Sequence, residues 1–443
     1  MTATPQHSNG KTDQAPLGLP TAPQPWPRND EELWIGSDVD FKQASHAEVA
    51  HYASGKAWVW PSSAVCFLCD IHADVDAFQL SLLGSGGVSL TGPGPCDFAL
   101  TDAGQDMLFV IGGDCLDKGP ENLPLLRAVN HLYELGARVQ LLGGNHDLRT
   151  YLGIACAGRK EMRLQHLFVR MGRKTLTLLQ EVYRQYVLPR TSGKGLLSDD
   201  AARAELFPSR EWYDAFRDEA KGLVPEKKLE KELVRIREKI ADLETYGHSY
   251  GLTLGALHAT VEECRKLFLS PAGEFSWFFE RMDIAYRAGS FLFIHAGVDD
   301  QVAQLLRDRG VDGLNAEYRR LLATDLFQLY HGPIGNCFRT KYRDFDFPLS
   351  NAGVENLHGA GLYAIVHGHR NIHNGQRLVF RNGVLNFECD ASVDRNTRIL
   401  EHLKGPGGAA TLFLPQGEIH GVSTDHPFIK VFDSARLCDI TMI

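Results

Sequence analysis

No apolar run in this sequence approaches the roughly 20 residues that a bilayer-spanning helix requires. No basic-then-apolar signal pattern opens it either, so the cytoplasm is the expected compartment and no membrane partner is expected. Positive charge is in deficit, with 46 Lys and Arg against 55 Asp and Glu and a formal net charge of −9. That balance argues against a general nucleic-acid binder, and no nucleic-acid partner is expected. The nine cysteines show no disulfide framework. Cys66 and Cys69 form a C-x-x-C, but inside an apolar strand residues i and i+3 point to opposite faces, so buried thiols are expected. Cys115, beside Asp114, is the one thiol expected to be sensitive to oxidation. No internal repeat is evident.

What is present is ordinary for a globular protein in bulk and unusual in pattern. At 443 residues, with 44% hydrophobic and 23% charged residues, the chain can form one large domain with insertions or two domains. Residues 1–30, rich in Thr, Pro, Gln and Asn, are expected to be a disordered tail. Five short apolar runs then each end in potential metal ligands. Ala64–Cys69 runs into Asp70-Ile-His72, and Leu108–Ile111 into Gly112-Gly-Asp-Cys-Leu-Asp-Lys118. Val139–Leu142 runs into Gly143-Gly-Asn-His-Asp147, Ser290–Ile294 into His295-Ala-Gly297, and Leu362–Val366 into His367-Gly-His369. Runs this short suit central parallel strands covered on both faces, whose carboxyl ends carry ligand sites in open α/β sheets. Oxygen donors mixed with imidazoles suit two first-row divalent ions rather than a thiolate site.

In this order the motifs resemble the calcineurin-like metallophosphoesterase superfamily, closest to its phosphoprotein phosphatase branch. The resemblance rests on Asp70-Ile-His72, Gly113-Asp-Cys-Leu-Asp117, Gly144-Asn-His-Asp147, His295 and Gly368-His369, and spans residues 70–370. It implies an α/β fold, a four-layer αββα sandwich, with a catalytic domain over residues 56–420. Two divalent ions are implied, Mn before Fe or Zn. Asp70, His72 and Asp114 would hold one, and Asp114, Asn145, His295 and His369 the other, with Asp114 bridging. The chemistry implied is direct attack of a metal-bound hydroxide on a phosphate monoester, without a covalent enzyme intermediate. His146 would protonate the leaving oxygen, oriented by Asp117.

In that branch an Arg follows the second-motif Asp; here Lys118 stands there, a point charge instead of a bidentate fork. Arg149 and Arg370 are the expected partners of Lys118 in phosphate binding, with Arg339 and Arg343 weaker candidates. His367 competes with His369 as ligand but is expected to pack, as are His331 and His373. Phosphoprotein is the leading substrate, with dinucleoside polyphosphates or other small phosphate esters as the alternative. A nuclease is disfavoured by the acidity and by Asn371, where the superfamily has a second His. An inactive scaffold is a further alternative, although no ligand position is missing.

Residues 151–289 exceed what such a core requires and read as a helical insertion, with segments at 159–188, 201–221 and 226–244. In the last, Leu229, Leu233, Ile236, Ile240 and Leu243 recur at helical spacing among Glu and Lys, which predicts a solvated amphipathic helix packed on its neighbours. A protein partner docking on the insertion, or a cap over the metals, is the alternative role. Beyond it, 398–403 and 410–414 read as strands, and Arg381-Asn-Gly383 as a hairpin turn.

Overall fold

The computed structural model describes residues 18–434 except 30, 31, 38, 39, 44, 192, 193, 222–225 and 382. Residues 1–17 of the expected tail lie outside the described residues. Two seven-stranded sheets form the centre. The first runs, edge to edge, Pro23–Pro25, Ile429–Asp433, Glu418–Ser423, Ala409–Phe413, Val65–Leu68, Leu108–Ile111, Arg138–Leu141. The second runs Asp40–Gln43, Leu33–Ser37, Arg377–Arg381, Val384–Glu388, Ala364–His367, Phe291–Ile294, Ala285–Ala288.

The apolar runs became strands because both of their faces are covered. Cys66, Leu68, Phe109 and Ile111 point outward into the core under helices Val75–Gly84 and Asn122–Glu134. Val65, Phe67, Leu108 and Val110 point the other way, into the core between the sheets. The second sheet repeats the division. Leu292 and Ile294 meet helices Asp300–Thr324 and Asn351–Gly359, while Phe291 and Phe293 face inward. Rings stitch the sheets together, with centroids of Phe67 and Phe293 5.8 Å apart and of Phe293 and Phe413 5.0 Å apart. Helix, sheet, sheet, helix is the four-layer sandwich that the motifs imply. Cys66 and Cys69 fall in different cores, as strand geometry requires, and both are buried and free.

Some expectations need correction. Pro23–Pro25 pairs in parallel with Ile429–Val431, and Trp26 is buried with its ring 6.0 Å from that of Phe387. The tail therefore cannot be disordered over 18–29: one aromatic anchors a polar segment, and proline is tolerated on an edge strand. The sandwich also exceeds residues 56–420, since Leu33–Ile35 pairs with Leu378–Phe380 and Ile429–Asp433 completes the first sheet. Residues 398–403 are not a strand. Helix Arg395–Leu400 stands there, started by the Asp394 side chain accepting from the Thr397 N–H.

Within 151–289, residues 151–156 finish helix Asn145–Cys156, and Ala285–Ala288 is an edge strand of the second sheet. The elements between them are helical. The expected helix 159–188 is broken at Gly172, whose φ of 67° no helical residue adopts. Helix Glu226–Ser249 buries Leu229, Leu233, Ile236, Ile240 and Leu243, as its periodicity predicts. These side chains share one core with Leu123 and Leu126 of the sandwich's outer helix.

Candidate functional site

Each sheet contains three parallel neighbouring strands, and the candidate ligands follow their carboxyl ends. In the first sheet, Val65–Leu68 leads to Asp70 and His72, Leu108–Ile111 to Asp114 and Asp117, and Arg138–Leu141 to Asn145 and His146. In the second, Phe291–Ile294 leads to His295 and Ala364–His367 to His369.

Asp114 is the hub. Its Oδ2 lies 3.7 Å from His72 Nε2, 4.0 Å from His146 Nε2 and 3.6 Å from His295 Nε2. Donor atoms of two triads gather within 4.8 Å: His72, Asp114 and His146 in one, Asp114, His295 and His369 in the other. The remaining expected ligands border them. Asp70 Oδ1 is 3.9 Å from His72 Nε2, and Asn145 Oδ1 is 3.3 Å from His295 Nε2. Second contacts aim the donors. His295 Nδ1 pairs with the Gly112 carbonyl at 2.9 Å, leaving Nε2 toward Asp114. His146 Nδ1 meets Asp117 Oδ2 at 2.8 Å, which leaves its Nε2 facing the hub.

The backbone is bent to achieve this. Asp70, His72, Asp114, Asp117, Lys118 and His369 all take left-handed conformations, with φ between 48° and 80°. Such residues cost about 1–3 kcal/mol each and gather where function demands them. Asp147 holds the bend in place. Its Oδ2 accepts the N–H of Asp114 at 2.7 Å and of Gly144 at 2.9 Å, and its Oδ1 that of Leu116 at 3.0 Å. The Asp114 carboxylate is fixed in turn, with Oδ1 accepting the His146 N–H at 2.8 Å from the start of helix Asn145–Cys156. Gly113 (φ 91°) must be glycine, because a Cβ there would collide with the backbone of Gly144.

The donor set fits divalent ions. Burial, and then the Asp114 charge, pushes the Asp70 carboxyl up to about 7; burial pushes Asp117 to about 7 as well. Burial holds the His72, His146 and His369 imidazoles well below their usual value. Imidazoles kept neutral are in the form that binds a metal, and the repulsion that raises close-set buried carboxyls is what a bound cation would relieve.

The expected phosphate-binding residues divide. Lys118 lies near enough for its charge to act on Asp70 and His146, and Arg149 acts on Asp117, His146 and His369. Arg370 instead joins a buried charge cluster, its Nε 3.7 Å from Glu388 Oε1. Arg381 Nη2 pairs with the same oxygen at 2.8 Å, and His367 Nε2 lies 3.9 Å from it. His367 thus packs, as expected. Only the backbone of Arg339 meets the site, its carbonyl 3.2 Å from His369 Nε2, while its guanidinium stands over the Tyr330 ring, 4.7 Å from the centroid. Arg343 turns away to Asp346, and His373 to Glu401. Cys115 is fully buried with its thiol pushed well up, first by burial, so it is not an oxidation-sensitive thiol.

Sequence reasoning missed Asp390. It is buried beyond strand Val384–Glu388, and its carboxyl is pushed well up by burial and by Asp70. A signal existed: this is the third parallel strand of its sheet, and Asp390 follows its end as Asp70 follows Leu68. The hairpin turn at Arg381–Gly383 marks the antiparallel neighbour of this strand and leaves its parallel pairing with Ala364–His367 without a local sign.

No family model matches this chain, and no curated protein matches it. Solved structures do. A cold-active protein-tyrosine phosphatase of a psychrophilic Shewanella species is 14% identical, covers 91% of this chain and 90% of its own, and has a TM-score of 0.43. A serine/threonine phosphatase from Saccharomyces cerevisiae, described as similar to human phosphatase PP5, is 12% identical over 88% of this chain and 91% of its own, with a TM-score of 0.38.

Proposed function

We propose that this chain is a two-metal phosphomonoesterase acting on phosphoproteins. One observation carries the reading: a single buried carboxylate, Asp114, is shared by two groups of potential ligands, one of which includes His146, itself paired with Asp117. Asp70, His72 and Asp114 would hold one divalent ion, and Asp114, Asn145, His295 and His369 the other, with Mn before Fe or Zn. The ions would supply an activated water and neutralise phosphate charge. The remaining steps belong to the chain's own residues. Lys118 and Arg149 draw the phosphate toward the hub. Asp117 holds the His146 ring so that Nε2 faces the leaving oxygen and delivers a proton there. The free, buried cysteines among the described residues suit a reducing cytoplasm.

The test is a panel with Mn-loaded protein: phosphopeptides, diadenosine tetraphosphate and a bis-aryl phosphodiester. Turnover of phosphopeptides above the other two is expected. Preference for the tetraphosphate would replace the substrate, and preference for the diester the reaction class.

A further inference from the structure

The His146–Asp117 pair is itself held, and the chain of contacts that holds it leads out of the sandwich into the insertion. Asp117 Oδ2 meets His146 Nδ1 at 2.8 Å, while Asp117 Oδ1 has no hydrogen-bond partner among the described residues. The carboxylate is therefore aimed by its backbone rather than by a second side-chain contact. That backbone is left-handed, with φ 80°, a conformation a non-glycine residue keeps only where its surroundings hold it. Asn122 does so. Its Oδ1 accepts the Asp117 N–H at 2.9 Å and its Nδ2 donates to the Gly119 carbonyl at 3.0 Å. One fully buried amide thus grips the turn on either side of Lys118.

Glu181, on helix Leu176–Val182 of the insertion, decides which way round that amide sits. Its Oε1 accepts from Asn122 Nδ2 at 2.7 Å and from the Asn122 N–H at 2.8 Å, and its Oε2 from the Leu123 N–H at 2.9 Å. An ionised carboxylate only accepts, so the amide nitrogen has to face Glu181 and the amide oxygen has to face Asp117. The same carboxylate completes the start of helix Asn122–Glu134, where Glu121 makes no side-chain cap and Pro124 has no N–H to offer. Leu176, Leu178, Leu179 and Val182 seat the helix of Glu181 in the core that holds Leu123, Leu125 and Leu126.

Resting on the phosphatase reading above, we infer that Glu181 is a positioning residue for the general acid. Through Asn122 it fixes the bend at Asp117, and through Asp117 it fixes where His146 Nε2 delivers its proton. Among the described residues the hydrogen bonds of Glu181 go to Asn122 and Leu123, neither of them a candidate ligand, so its effect falls on proton delivery and not on the metals. Placement matters there, since a misplacement of about 1 Å in an active site can cost about 10²-fold.

The test uses the full Mn-loaded chain with a phosphoserine peptide and with p-nitrophenyl phosphate, whose leaving group needs little protonation. The readout is the ratio of kcat values, peptide over aryl ester, with bound metal counted by elemental analysis. Glu181→Gln keeps the size of the side chain but leaves one acceptor oxygen for the N–H groups that Glu181 now satisfies. It is expected to lower the ratio about 10-fold with both ions retained, less than the roughly 10²–10⁴-fold worth of the acid itself. Asn122→Ala should lower it at least as far, and adding Glu181→Gln to Asn122→Ala should lower it no further, because the two act in series. In a His146→Ala background, Glu181→Gln should change neither substrate. Glu181→Asp keeps the charge on an arm one carbon shorter; it should give a milder drop of the same kind, and it serves where the first variant does not fold. Equal losses on both substrates, a loss that persists without His146, or an unmoved ratio would make Glu181 a helix cap only and overturn this inference alone. A wild type that hydrolyses neither substrate overturns the phosphatase reading and this inference with it.

Discussion

The sandwich and the helical insertion position their residues by different means. In the sandwich, parallel strands set backbone direction, and ligands follow at fixed offsets from the strand ends. Asp70, Asp114 and His369 lie two or three residues past Leu68, Ile111 and His367. The side chains are short, and the backbone is bent and pinned, as Asp147 pins Asp114. In the insertion, position comes from helix packing, with Leu229, Leu233 and Ile236 buried in one core with Leu123 and Leu126. Rigid, short donors suit metal ions, which tolerate little displacement. The insertion is also tied down electrostatically. Arg170 joins Glu232 of the long helix and the Tyr330 hydroxyl of the sandwich, with Nε 2.9 Å from that oxygen.

The comparison breaks most sharply at the hub. Asp114→Asn should abolish turnover and lower bound metal toward one ion or none, measured by elemental analysis. Two retained ions with full turnover would remove the site assignment, and with it the claim that strand ends hold the chemistry.

His146→Ala should keep both ions while turnover of phosphoserine falls about 10²–10⁴-fold, the usual worth of a general acid. An activated aryl phosphate should lose much less, and Asp117→Asn should repeat the pattern in milder form. His146 Nε2 lies 4.0 Å from Asp114 Oδ2, within reach of a ligand role as well. Equal losses on both substrates together with metal loss would make His146 a ligand.

Glu232→Ala tests the tie between the regions. Removing one partner of a buried ion pair costs about 3–5 kcal/mol. Amide exchange should quicken across helix Glu226–Ser249, with strands Leu108–Ile111 and Phe291–Ile294 still protected. Equal loss of protection in both regions would show one cooperative unit.

The smallest effect expected is acid sensitivity of the insertion. Burial holds His166 down to about 3, its ring stacked among Trp212, Phe216 and His331. Between its ordinary value near 6.5 and about 3 the folded state binds fewer protons than the unfolded one. Stability from this residue is therefore complete above about 6.5 and is lost as pH falls toward 3. Insertion tryptophan fluorescence should shift on acidification before the sandwich unfolds, and His166→Phe should delay that shift. An unchanged shift in the variant would assign the acid response elsewhere.

Much of the site was legible in the residues because metal chemistry permits few donor types, and strand ends keep them in fixed local patterns. Asp70, His72, Asp114, Asn145, His146, His295 and His369 could all be named from short motifs. Local patterns failed where a distant partner decided the outcome. Trp26 orders a tail-like segment by packing on Phe387, and Asp394 caps a helix where a strand was expected. Arg370 sits next to a ligand in sequence, yet Glu388 takes its charge. The insertion makes the same point at larger scale. The 3.6-residue period of Glu226–Ser249 determined that a helix would bury Leu229, Leu233 and Ile236, since burying apolar area depends only on spacing along one face. What a polar side chain of that helix meets has no such period. It depends on how the helix packs, and only the tertiary structure brought Lys239 over Gly172 and onto the Arg170 carbonyl.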